Sequence, residues 1–152
     1  MGNFALTPAE RALFEALARR HVRFLVVGMG AAVLEGAPVA TQDIDLWFER
    51  LDDERIRDAA REAGGFWMPG FGMQPPGFGG AGLDRIDVVL TAHGLETFDV
   101  EYASCLKREI EGVRLSVLPL ERVIASKRSI MRPKDVAQMP ALEATLAAKR
   151  AT

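Results

Sequence analysis

Phe24-Leu-Val-Val-Gly28-Met-Gly30-Ala-Ala-Val-Leu-Glu-Gly36-Ala-Pro38-Val-Ala-Thr41-Gln-Asp43-Ile-Asp45-Leu-Trp-Phe-Glu49 is the stretch on which the fold turns. A run of β-formers stops at two glycines, a short helical turn follows as far as Gly36, and a second apolar run opens with two acids. Side chains two apart in a strand share a face, so Asp43 and Asp45 are expected side by side with Ile44 turned into the core. Like charges that close raise each other's pKa unless a cation neutralises them. A hard divalent ion, magnesium or manganese, suits carboxylate oxygens. The plainer alternative is a turn over Thr41 to Asp43 with Asp45 on an exposed edge.

Further along, Arg85-Ile-Asp87-Val-Val-Leu-Thr91 is another strand-like run with one embedded acid. If it lies beside the strand of Asp45, three carboxylates converge, which is the constellation that two-metal phosphoryl transfer uses. Alone, Asp87 would read as a solvent-facing strand residue.

Taken together, a strand, a Gly-x-x-Ala turn, a short helix ending in glycine, Thr41-x-Asp43-Ile-Asp45 and a later isolated Asp87 resemble the nucleotidyltransferase superfamily of the DNA polymerase beta type. Within it the chain is similar to small bacterial nucleotidyltransferase-like proteins related to abortive-infection toxins. The helix Glu54 to Gly64, the tail Leu118 to Lys127 and Arg132-Pro-Lys-Asp135 add to the likeness, which spans about residues 20 to 140.

The resemblance implies an α/β (α+β) domain over 1–152, a minimal nucleotidyltransferase fold with a short mixed β-sheet flanked by helices. It implies metal-dependent transfer of a nucleoside monophosphate from a nucleoside triphosphate to a hydroxyl acceptor (RNA or tRNA, a small molecule or a protein). Asp43, Asp45 and Asp87 would be catalytic and would hold Mg2+ or Mn2+. Gly28, Met29, Gly30, Thr41 and Lys127 would lie at the nucleotide, and an antitoxin protein would be an expected partner. One departure is Met29, where the superfamily usually has a small residue. A thioether there would narrow the phosphate site, and the alternative is a catalytically degenerate nucleotide-binding or protein-interaction member of the same fold.

A dinucleotide-binding reading of Gly28-x-Gly30, with Glu49 as the ribose acid, fails on two counts. The third glycine place is Val33, and the helical stretch breaks at Gly36-Ala37-Pro38, too short for a parallel crossover.

The 152 residues are 49% hydrophobic, enough for one globular core, and the net charge of −2 provides no general basic field for nucleic acid or membrane. A single cysteine, Cys105, excludes an internal disulfide, and no Cys/His spacing suggests zinc. No secretory leader pattern and no run of about 18 apolar residues is present, so the expected location is cytoplasmic.

Other segments are assigned by local signals. Thr7-Pro8-Ala9-Glu10 reads as a capping box opening a helix to about His21. From Gly64 to Gly82 lie eight of the fourteen glycines and three prolines. That segment is either a flap whose aromatics stack on a base, or a hairpin whose aromatics cover the sheet. Thr97 to Glu109 reads as mixed, with a short helix near Val100 to Leu106. Val113 to Leu118 alternates as a strand. Pro119 starts a helix that buries Leu120, Val123 and Ile124, and Pro140 is expected to restart or kink the last helix.

Overall fold

The computed structural model describes residues 5–40 and 43–152; Thr41 lies outside them. Helix α1 (Pro8–Arg19) starts where the capping box demands. Thr7 Oγ1 accepts from the Glu10 amide at 3.1 Å, and the Glu10 carboxylate accepts from the Thr7 amide at 2.8 Å. Its Leu13, Phe14 and Leu17 are buried. After the helix, His21 takes a left-handed φ of 55° and turns the chain into β1 (Phe24–Val27).

All four residues of β1 are buried, as the central strand of a sheet covered on both faces requires. Gly28, at φ 63°, then converts strand to helix, and α2 (Gly28–Leu34) runs only seven residues. So short a connection returns the chain antiparallel: β2 (Ile44–Phe48) pairs with β1, Phe24 opposite Phe48 and Val27 opposite Asp45. This antiparallel pairing removes the dinucleotide-fold alternative, which needs a parallel neighbour. Along β2, burial alternates, with Ile44, Leu46 and Phe48 in the core.

Helix α3 (Glu54–Glu62) is capped by Asp53 and packs by Ile56, Ala59 and Ala60. The glycine-rich segment forms the small hairpin β3 (Phe66–Met68) and β4 (Gly77–Gly79). Its base belongs to the core cover: Trp67 and Phe78 rings lie 4.9 Å apart, and Phe78 sits 6.1 Å from Phe48. A Cβ on Gly79 would come within 2.6 Å of the Phe66 ring, so the glycine is what lets that ring lie across the backbone. At the tip, Phe71 and Met73 stand out in water.

Strand β5 (Ile86–Val88) runs parallel to β2 and is shorter than the expected run to Thr91. Helix α4 (Phe98–Ala103) follows, and then an element that the sequence reading missed, β6 (Leu106–Ile110). Glu111 at φ 50° and Gly112 at φ 83° turn it into β7 (Val113–Val117), which is antiparallel to β6 and parallel to β1. Two left-handed residues match the strand twist of a tight hairpin. The sheet order is β5-β2-β1-β7-β6, a mixed five-stranded sheet.

Helices α5 (Leu120–Ile130) and α6 (Pro133–Arg150) complete the fold and pack on one another. Pro140 does not restart α6, which passes through it while Met139 and Leu142 are buried beside it. The observed class is thus the α/β arrangement of a mixed sheet flanked by helices. No helix among the described residues is long and apolar enough to cross a membrane.

Candidate active site

The cavity of interest opens where β1 ends. Gly28 can hold φ 63° without the Cβ clash that other residues meet, so the chain turns sharply off the strand. The neighbouring strand brings Asp45 to the same spot. A Cβ on Gly28 would stand 2.6 Å from Asp45 Oδ2, so the carboxylate occupies space that only a glycine leaves.

Across the β2–β5 pairing, Asp45 is registered directly opposite Asp87. Neighbouring strands lie about 4.8 Å apart, which sets the two acids side by side. Both carboxyls are pushed above the ordinary aspartate value. For Asp45 burial is the first cause, then the charges of Asp87 and Asp43, partly offset by Lys127 and Lys134. For Asp87 desolvation comes first and the charge of Asp43 second.

Asp43 lies just before β2, exposed, and its charge acts on both other acids and on Arg85. It does not line the cavity, whereas Asp45 and Asp87 do.

The cavity measures about 290 Å³ and is walled by the end of β1, the segment after β5, α5 and the start of α6. Val27, Gly28 and Met29 line it, together with Thr91, His93, Ser126 and Lys127. Met29 is half-buried against the core and its side chain forms part of the wall. Gly30 is set back from the cavity: a Cβ there would meet Val26 and the start of β2 at ordinary contact distances of 3.6 Å and more.

Lys127, the cation expected at the nucleotide, lines the cavity and is also engaged within the fold. It is only 8% exposed, and its ammonium donates to Asp135 Oδ1 at 3.1 Å. Burial pushes the Asp135 carboxyl up, but hydrogen bonds from Arg132 and Lys127 outweigh it and hold the group down at about 2. Lys127 therefore serves two ends at once, anchoring α6 through Asp135 while its charge reaches Asp45.

Arg132 and Lys134, next to that anchor, also line the cavity. Lys134 is exposed and forms no ion pair among the described residues, which makes it the more available cation. Ser126, Thr91 and Gln138 are lining residues that the sequence reading did not single out. Only the packing of α5 against α6 brings Gln138 there.

No group of three or more histidine, cysteine, aspartate or glutamate side chains among the described residues is arranged to hold a metal ion. Two of the three expected ligands meet in strand register, and the third, Asp43, lies just before β2 with its charge acting on both. The donor chemistry nevertheless suits a divalent cation: hard oxygens, adjacent and mutually repelling, beside a glycine that keeps the space at Asp45 Oδ2 free of a side chain. The hairpin tip contributes nothing to the cavity wall, and its base covers the core, so the geometry follows the covering alternative rather than a flap over the site.

Comparison with solved structures agrees with this architecture. The antibiotic-resistance factor ANT(2″)-Ia, in a crystal structure with adenylyl-2″-tobramycin, superposes with a TM-score of 0.60 at 15% identity over 91% of this chain and 88% of that one. Its solution structure gives 0.57 at 16% identity over 94% and 90%. An antigenic nucleotidyltransferase-like protein from Paracoccidioides brasiliensis gives 0.55 at 16% identity over 87% and 72%. At such identities the likeness concerns the fold, and the chain has the nucleotidyltransferase fold. No protein-family model and no curated protein matches it.

Proposed function

We propose that the chain, taken over 1–152 as one nucleotidyltransferase-like domain, transfers a nucleoside monophosphate from a nucleoside triphosphate to a hydroxyl acceptor, releasing pyrophosphate. The observation that carries this reading is the registered pair Asp45 and Asp87 at the glycine turn after β1, in a fold whose solved neighbours include nucleotidyltransferases. Such a reaction asks a protein mainly for positioning and charge neutralisation.

In this reading the triphosphate enters the cavity beside Gly28 and Met29. Gly28 lets the backbone come close, and Lys134 and Lys127 supply positive charge along the phosphates. Asp45 and Asp87, joined by Asp43, would hold Mg2+ or Mn2+, which supplies neutralisation of phosphate charge at the reacting centre. Asp87, raised in pKa and exposed at the cavity mouth, takes the proton of the acceptor hydroxyl as that oxygen attacks the α-phosphorus.

The acceptor is a hydroxyl on a small molecule, on RNA or tRNA, or on a protein; the adenylyl-2″-tobramycin of the ANT(2″)-Ia structure supports the small-molecule case. A toxin role with an antitoxin partner in the cytoplasm is a narrower form of the same proposal, tested by growth arrest that Asp45→Asn abolishes.

Pyrophosphate release from nucleoside triphosphates with Mg2+ or Mn2+, across acceptor classes, is the direct assay. Asp45→Asn and Asp87→Asn variants that keep full turnover would overturn the proposal. A second reading, a non-catalytic nucleotide binder or protein-interaction module, is favoured by Met29 in the cavity wall. Magnesium-dependent binding by calorimetry without any pyrophosphate release would select it.

A further inference from the structure

At the opposite end of β1 from Gly28, a second cavity of about 420 Å³ gathers cations rather than acids. It is lined by His21 and Arg23 before β1, Tyr102 of α4, Lys107 of β6, and Arg114 and Ser116 of β7. These residues come from four separate parts of the chain. In a protein of net charge −2 their convergence is not a by-product of an overall basic surface.

The pairing state of these cations sets them apart. Most other basic side chains of the described residues reach a carboxylate, as Arg85 reaches Glu10, Arg108 reaches Glu35 and Arg122 reaches Glu101. Lys107 and Arg114 have no ion pair among the described residues, although Glu109 stands across the β6–β7 ladder from Arg114. Arg23 meets Glu49 only at 3.6 Å.

The cluster is also held in place. Lys107 donates to the Ser116 hydroxyl and, at 3.4 Å, to Tyr102 Oη. Its ammonium lies 4.9 Å from the Tyr102 ring centre, and the Arg23 guanidinium lies 5.2 Å from it. An aromatic face favours cations beside it, so Tyr102 offsets part of the repulsion between Arg23 and Lys107. Ser116 is only 9% exposed; its oxygen accepts from Lys107, which leaves its own O–H to donate. Two guanidinium forks, an ammonium with a spare N–H and a buried hydroxyl make a donor-rich recess with no acid among its described lining residues.

We propose that this recess binds a phosphate group, carried either by a free phosphorylated compound or by the phosphodiester of an RNA strand. Arginine forks match phosphate oxygens in bidentate geometry, and charge-assisted bonds of this kind are the strong ones. The recess lies roughly 16 Å from Gly28 along β1, reckoned at about 3.3 Å per residue, and is a separate site from the acid-lined cavity.

The test uses the full chain, without divalent metal, in a nitrogen-15 NMR titration with inorganic pyrophosphate and, separately, with a five-nucleotide uridine RNA. The expected result is movement of the Tyr102, Lys107 and Ser116 amides with at least one probe. Lys107→Gln with Arg114→Gln should weaken that binding at least about tenfold, as loss of charge-assisted hydrogen bonds implies. Lys107→Arg should retain it, and Asp45→Asn should leave it unchanged even where nucleotidyl transfer is lost. Movement with pyrophosphate identifies a free phosphate ligand; movement with RNA alone identifies the phosphodiester. If neither probe shifts these amides, or if the folded double variant binds as tightly as the native chain, the proposal is overturned.

Discussion

The protein treats its carboxylates in two opposite ways. Glu10, Glu35, Glu101 and Asp135 are buried, and each is met by an arginine fork or an ammonium: Arg85, Arg108, Arg122, and Lys127 with Arg132. Hydrogen bonds from Arg122 hold Glu101 below the ordinary range despite burial, and those from Arg132 and Lys127 hold Asp135 down at about 2. Asp45 and Asp87, by contrast, are set against one another and are pushed up. A chain that pairs its buried acids so thoroughly places these two where they repel. The difference separates carboxylates that hold the fold together from carboxylates kept ready for something that arrives later.

The largest effect that would break this contrast is on activity. Asp45→Asn should lower nucleotidyl transfer by at least about a thousandfold, since it removes charge at the reacting centre. The same variant should unfold at equal or higher denaturant concentration than the native chain, because repulsion with Asp87 is relieved. A variant that loses stability instead would put Asp45 among the structural acids.

Next comes the opposite class. Arg122→Ala leaves Glu101 buried without its partner and should cost about 2–3 kcal/mol of stability in urea unfolding, at the lower end for such pairs because Arg122 is one-third exposed. Its effect on turnover at saturating substrate should be small, since neither residue lines the acid-lined cavity.

A finer comparison lies between the two glycines of the turn. Gly28→Ala meets both a left-handed φ and the Asp45 carboxylate, and should lose about 1–2 kcal/mol together with most activity. Gly30→Ala has ordinary contacts inside α2 and should change stability by under about 1 kcal/mol, in the favourable direction. Thermal melts of the pair would show whether only the first glycine is demanded by the site.

The smallest effect is in the pH dependence of stability, where the two classes carry opposite signs. Asp135, depressed in the folded state, contributes stability that is present above the unfolded value near 4 and is lost as pH falls toward about 2. Asp45 and Asp87, raised in the folded state, bind protons more readily folded than unfolded, so their contribution weakens as pH rises above about 4. Asp45→Asn should therefore make the stability curve fall less between mild acid and neutrality than the native curve does. Equal slopes for the two proteins would refute the raised value.

The repelling half of this contrast is legible in the sequence itself, and the paired half is not. Alternation placed Asp45 on β2 with Ile44 turned inward, and a run with one embedded acid marked β5. The capping box set the start of α1, and the shortness of the Gly28–Gly36 segment implied an antiparallel return. Other features depend on distant contacts. Leu106-Lys-Arg-Glu-Ile110 carries three charges and has little strand signal until β7 lies beside it. The Lys127–Asp135 pair joins two helices across a turn, so periodicity within α5 could present Lys127 but could not say that it was already engaged. Pro140 removes a helix donor locally, yet Met139 and Leu142 bury well enough to keep the helix continuous.

The position of β6 at the outer margin of the sheet has one more consequence. Among the described residues its backbone offers an unpaired row of amides and carbonyls, which in many proteins recruits a strand from another copy and seeds aggregation. Here that margin carries Lys107 and Glu109 exposed to water, and a tight turn closes it at Glu111 and Gly112. Any incoming strand would have to dehydrate both charges, which keeps the border of the sheet closed to further growth.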